Sequence, residues 1–198
     1  MFSNNRVAGL FRAGLRLSAF IGGCIAGIAS AAPYGIDDIR LGASYRRLAA
    51  ELDFRDIHAA IAEQKSRGRD TPDLGRRGYG CLPREDAFAD VTCVSHEEKA
   101  AGTPTREIRL HFLEGILQQF SITAEVAHQD AIVGAVGERH GAPRVDAAAR
   151  QPVYHWDNGE SRVMATGGKD LVFVSFELAG YAAAVERKRS GVKPNICR

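Results

Sequence analysis

The chain has 198 residues, with 26 lysines and arginines against 24 aspartates and glutamates, a formal charge of +2. Arg6, Arg12 and Arg16 lie in the first 31 residues, so the remainder holds 23 basic against 24 acidic groups and is close to neutral. That balance gives no global drive toward nucleic acid or toward an anionic membrane surface, and 167 residues are ample for one domain with a real core.

The N-terminus reads as an export signal. Three arginines precede an uncharged run from Leu17 to Ala32, and Ala29-Ser30-Ala31 fits the A-x-A cleavage pattern. The run is shorter than the roughly 20 apolar residues of a spanning helix and is rich in glycine and alanine. Residues 1–31 are therefore assigned to a cleaved signal and 32–198 to a single domain, periplasmic or secreted from a Gram-negative cell. A minority variant treats "IGGC", ending at Cys24, as a lipobox that would anchor the chain through an acylated cysteine.

In chain order, "GASYRRLAAELD" predicts a first helix capped by Ser44, with Tyr45, Leu48, Ala49 and Leu52 inward. "DIHAAIAEQ" alternates Ile57, Ala59 and Ile61 as a strand would, with helix an equal competitor. Lys65 to Gly80 is a loop with four glycines, a proline and seven charges, five of them basic. Lys65, Arg67, Arg69, Arg76 and Arg77 could meet an acidic partner, lipid phosphates or a glycan. Tyr79 adds an aromatic of the kind that anchors interfaces. A solvated loop is the plain alternative, although structureless loops of this length are uncommon.

"AFADVTCVS" predicts a strand and "AAGTPT" a turn. "REIRLHFLEGILQQFSIT" is a hairpin bent at Glu114-Gly115, with Ile108, Leu110 and Phe112 inward and His111 outward. "HQDAIVGAVGERHGAP" is a second helix with Ile132, Val133 and Val136 as its stripe and a Gly141…Pro143 stop. "PVYHW", "ESRVMAT" and "DLVFVSFEL" follow as three strands, joined at Asn158-Gly159 and Gly167-Gly168. "AGYAAAVERKR" predicts a last helix with Leu178, Ala182 and Val185 on one side. The class is α+β: an antiparallel sheet of about six or seven strands packed by two or three short helices.

Export makes a disulfide the expected state of cysteines, and Cys81 and Cys93, twelve positions apart, are the natural pair. Cys197 could remain free, bridge to another chain or compete for either partner. No C-x-x-C spacing and no matching histidine ligands occur, so neither a metal site nor a cofactor is predicted.

No nucleophile elbow is present. "TGGKD" lacks the spacing of a phosphate-binding loop, and "HEEKA" lacks the second histidine of a zinc protease. These segments read as a turn and a solvated strand end. "YHWDNGE", Tyr154 to Glu160, looks catalytic but resolves into an aromatic strand end and its turn. Tyr154 and Trp156 share one strand face, His155 points to the other, and Arg162 on the return strand can approach an acidic neighbour. Trp156 marks a binding face if exposed and belongs to the core if buried.

Two segments, "IRLGASYRRLAAELD" and "DAIVGAVGERHGAP…YHWDNGESRVMAT…DLVFVSFE", look like degenerate copies of one helix-plus-meander unit. Gly42, the Gly141-Ala142-Pro143 exit, and Tyr154 with Trp156 carry the likeness. The unit resembles modules of the outer-membrane assembly lipoprotein family (SmpA/OmlA-like) and the tandem fold of β-lactamase inhibitor proteins. The first copy departs by lacking the Gly-x-Pro exit and by carrying the basic loop and the cysteine pair. What the resemblance implies is a protein-binding module. Together with the missing catalytic motifs and the near-neutral charge, the expectation is a non-enzymatic binding or assembly module whose partner is another envelope protein, with peripheral membrane contact open and no nucleic acid. A periplasmic inhibitor or immunity-type protein is the runner-up, and a small hydrolase assembled from distant residues is the third reading.

Overall fold

The computed structural model describes residues 32–58, 78–96, 98–147 and 151–191. The assigned signal with Cys24, the segment 59–77 with Lys65, Arg67, Arg69, Arg76 and Arg77, and Cys197 all lie outside the described residues.

The chain opens with a tight pair, β1 (Gly35–Ile36) and β2 (Ile39–Arg40), and then enters α1 (Tyr45–Glu51). The Ser44 side chain accepts from the Arg47 N–H, as the sequence predicts for its cap. Strands β3 (Phe54–Asp56), β4 (Tyr79–Pro83) and β5 (Val91–Ser95) follow, then a two-residue pair, β6 (Lys99–Ala100) and β7 (Thr103–Pro104). The predicted hairpin is β8 (Glu107–Leu113) and β9 (Ile116–Glu125). Glu114 and Gly115 both hold positive φ, at 56° and 73°, which gives the turn a twist matching its strands.

The second half begins at α2 (Gln129–His140), whose buried Ile132 and Val136 form the predicted stripe. Gly141, at φ 88°, ends it. Then come β10 (Arg144–Asp146), β11 (Val153–Asp157), β12 (Ser161–Gly167), β13 (Leu171–Leu178) and α3 (Tyr181–Arg189). In α3 the inward residues are Tyr181, Ala184 and Val185, while Ala182 faces solvent. The helix packs on Leu113 rather than on the main core, which rotates its buried stripe from the one expected.

Nine strands form one sheet in the order β10-β11-β12-β13-β9-β8-β5-β4-β3, larger than the six or seven expected. Eight of its strands are joined by antiparallel pairs, but β3 pairs β4 in parallel, Phe54 beside Tyr79. That pairing bridges the distant ends of segment 59–77, which local periodicity does not reveal. The last strands of the two meanders, β9 and β13, pair at the sheet's centre with Phe120 opposite Phe176.

Alternation along these strands splits the sheet into two unlike faces. One face is dry. Leu110, Phe112, Phe120, Ile122, Val172, Val174, Phe176 and Val163 are buried together with Leu48 of α1, Ile132 and Val136 of α2, and Tyr34, Ile36, Ile39 and Leu41 from the N-terminal pair. Cys81 and Cys93 lie directly opposite each other on β4 and β5, with Cα atoms 4.0 Å apart, and are joined as the predicted disulfide.

The "DNGE" turn shows how the first described residues are held. Its central pair is Gly159 and Glu160, one position later than expected, and Gly159 alone takes positive φ, at 81°. Asn158 is instead a side-chain hub. Its Oδ1 accepts from the N–H groups of Glu160 and Ser161 and from the Ser161 hydroxyl, and its Nδ2 donates to the Ala32 carbonyl. The fully buried Ser161 hydroxyl oxygen accepts from the Tyr34 N–H at 2.9 Å. Ser161→Ala leaves that buried donor unpaired and is expected to cost about 1–3 kcal/mol. Urea unfolding measures this, with Ser161→Thr, which keeps the oxygen, as the comparison.

Candidate binding face

The other face of the sheet is polar at its rows but not uniformly so. Cross-strand register builds one row from Arg144, His155, Met164, Ser175, Ser121, Arg109 and Val94. The next row runs Asp157, Arg162, Glu177, Gln119, His111 and Thr92. A third holds Thr166, Phe173, Thr123 and Glu107. Among the described residues, α3 and the 84–90 segment cover one end of this face. There Leu113 is buried with Tyr181, Ala184 and Val185, the Tyr181 hydroxyl donates to the Phe88 carbonyl, and Lys188 pairs with Asp90 at 2.7 Å.

Away from α3 the face carries large apolar side chains in solvent. Leu171 is 41%, Phe173 40% and Met164 39% exposed. Leu171 and Phe173 are two apart on β13 and so lie side by side. Met164 sits diagonally from Phe173, because Thr166 is Phe173's direct partner and Met164 is Ser175's. Single exposed apolar residues are ordinary, but three adjacent ones on an antiparallel strand face are a patch. Sequence reasoning missed it. "DLVFVSFEL" is apolar at both parities, where a strand with one open face alternates apolar with polar, and that departure was the available signal.

Beside the patch, at the β10 edge, is a cleft of about 790 Å³. Arg144, His155, Asp157, Arg162, Met164, Ser175 and Glu177 line it from the open face, with Tyr34 and His140 at its inner corner. Arg162 donates to Glu177 at 2.6 Å, the acidic neighbour anticipated for it. His155 and Ser175 are two strand spacings apart, about 10 Å, with Met164 between them, so they form no base–nucleophile pair. The histidine that does meet a hydroxyl is His111, whose Nδ1 lies 3.3 Å from Thr92 Oγ1 across β5 and β8. Burial, then the Arg109 cation, hold this imidazole below its ordinary pKa.

His140 is also held below its ordinary pKa, by burial first and then by Arg139 and Arg40, against the opposing pull of the Gly35 carbonyl. Its Nε2 stands 2.7 Å from that carbonyl and donates to it, which ties α2 to β1. For both histidines the fold favours the neutral ring. Their contribution to stability is present above the unfolded value of about 6.5 and is lost as pH falls through the lower folded values. Thermal unfolding between pH 8 and pH 5 is expected to show a declining Tm, with a shallower slope in His140→Gln and His111→Gln.

The structure relocates two residues singled out for binding. Tyr79 is only 3% exposed and packs on Phe54 from within the core, so it is not a surface anchor; burial, with Glu98 and Asp37 nearby, pushes its phenol pKa up. Its glycine-flanked position made it look like loop, whereas it begins β4. Trp156 is 4% exposed, and its indole N–H donates to the Gly141 carbonyl at 2.7 Å. It belongs to the core and ties α2's exit to β11. The arginines of the basic loop lie outside the described residues. Among the described residues no cluster of histidine, cysteine, aspartate or glutamate could hold a metal, and no helix is long and apolar enough to cross a membrane.

No protein-family model matches the chain, and no curated protein sequence matches it. Among solved structures it is similar to a GTP-binding regulator from Thermotoga maritima, at 12% identity and a TM-score of 0.34, over 68% of this chain and 84% of that one. A likeness at that level carries no functional argument. The class defined by the fold is an α+β domain, one large mostly antiparallel sheet with two helices on its dry face, a third over one end of the other face, and a disulfide.

Proposed function

We propose that this chain is an exported, non-enzymatic binding or assembly module that docks another envelope protein on the open face of its sheet. The observation that carries the reading is the patch of Leu171, Phe173 and Met164, three large apolar side chains left in solvent on a sheet whose other face is fully used. Water-exposed apolar area of this kind is stabilised by a partner, and aromatic and methionine side chains are enriched where partners bind.

Three further features support the reading. The Cys81–Cys93 disulfide suits an oxidising compartment, in keeping with a cleaved signal over residues 1–31. The order of elements fits two degenerate helix-plus-meander copies: α1 leading to β3, β4, β5, β8 and β9, and α2 leading to β10 through β13. This is the arrangement that the resemblance to assembly-lipoprotein and inhibitor-protein modules implies. The basic loop, with Arg67, Arg69, Arg76 and Arg77, is a second contact in this reading.

Capture from a solubilised envelope fraction tests both contacts. Leu171→Asp with Phe173→Asp is expected to abolish recovery of the partner seen with the unaltered chain. Charge reversal of Arg76 and Arg77 is expected to weaken it. Unchanged recovery with the β13 pair would sink the face, and unchanged recovery with the arginine pair would sink the loop.

A further inference from the structure

The cleft beside the patch has a character of its own. Its volume of about 790 Å³ is within the range of small-molecule pockets, but such pockets are lined mainly by apolar and aromatic groups. Here half of the twelve lining residues are charged or imidazole: His140, Arg144, His155, Asp157, Arg162 and Glu177. A polar chain suits such a lining better than an apolar molecule.

Several of these groups are already engaged within the fold. Glu177 takes the Arg162 guanidinium on Oε1. Asp157 accepts the Gly159 N–H on Oδ1 and stands directly across from Arg162. His140 donates to Gly35. The side chains of Arg144 and His155 make no hydrogen bond or ion pair among the described residues. They are direct cross-strand neighbours on β10 and β11, facing the same side. Two nitrogen donors at that spacing, about 5 Å between Cβ atoms, are not partners for each other, but a carboxylate can sit between them. Met164 continues their row toward Phe173, so the two donors adjoin the apolar patch.

We propose that Arg144 and His155 receive the carboxylates of an acidic segment of the protein docked on the open face. The occupant follows from local charge complementarity: the two donors whose side chains are unengaged sit together on β10 and β11, Glu177 is paired with Arg162, and Asp157, which keeps its charge, lies in the next row, directly across from Arg162. The inference rests on the docking role proposed for the face, and it adds the chemistry of the partner.

Fluorescence anisotropy of the purified, oxidised protein tests it, using two labelled decapeptides, one alternating glutamate with alanine and one alternating glutamine with alanine. The glutamate peptide is expected to bind about tenfold tighter or more, since hydrogen bonds to charged groups outweigh neutral ones. Arg144→Glu should remove about that factor, and His155→Gln should reduce it several-fold. Arg46→Glu makes the same charge change on exposed α1, behind the opposite face, and should leave binding within about twofold. Equal affinity for the two peptides overturns the proposal, as does equal weakening by Arg46→Glu and Arg144→Glu. Thermal unfolding checks that each variant is folded. Envelope capture separates this inference from the reading beneath it. If Phe173→Asp abolishes partner recovery while Arg144→Glu and His155→Gln leave it unchanged, the face stands and the acidic segment falls. If none of the three alters recovery, the face itself falls.

Discussion

Phe176→Ala is expected to destabilise the protein by about 3–5 kcal/mol, the range for removing a large buried aromatic from a core that cannot collapse around the gap. Phe176 is fully buried on β13 and stacks on Phe120 of β9, with ring centroids 4.1 Å apart and planes 9° apart. The pair sits at the junction where the last strands of the two meanders meet, so it is the seam between the halves. For a domain of this size the loss corresponds to a fall in Tm of about 10 °C. Double-mutant analysis with Phe120→Ala should return a coupling of about 0.5–1.5 kcal/mol beyond burial. Because the seam is continuous, unfolding by heat and by urea should remain one transition in every variant. Two separated transitions would contradict a single cooperative domain.

Removing the disulfide is the second large effect. Cys81 and Cys93 are 12 positions apart and deeply buried, so Cys81→Ala with Cys93→Ala removes a covalent tie without exposing polar groups. Closing a loop of that length is worth about 3 kcal/mol in the chain-entropy account. The expected fall in Tm is about 6–12 °C, and reductant should lower the unaltered protein to a similar value. The tie joins β4 to β5 at the far end of the sheet from β10, next to the parallel β3–β4 pair. Loosening should therefore be concentrated there, as faster amide exchange in β3 and β4 than in β12 and β13. Mass mapping under non-reducing conditions that found both thiols free would refute the bridge.

Much of this architecture can be read from pattern. The β8–β9 hairpin, α2, and the strands from Val153 to Leu178 were legible because each repeats apolar residues at its own period over enough positions. The pieces that were not legible are short or paired at long range. Strands of two or three residues, such as β1, β3 and β10, contain no period to detect. Tyr79 was misplaced because its partner, Phe54, is 25 positions away across a parallel pair. The turn after Trp156 shifted by one position because Asn158 spends its side chain on backbone donors instead of taking positive φ. The binding face was only half legible. His155 was placed on the correct strand face and Arg162 beside an acidic neighbour, whereas Leu171 and Phe173 sit in a run apolar at both parities, in which alternation does not mark the open face.

The most direct test of the open face is site-specific photo-crosslinking in the intact cell envelope, with the reactive residue placed at Phe173, at Met164 or at Arg46. Phe173 and Met164 should each give a discrete heavier species containing this chain and one partner protein, and Arg46, exposed on α1 behind the other face, should give none. Absence of any adduct at Phe173 and Met164, or the same adduct from Arg46, would contradict a docking role for the face.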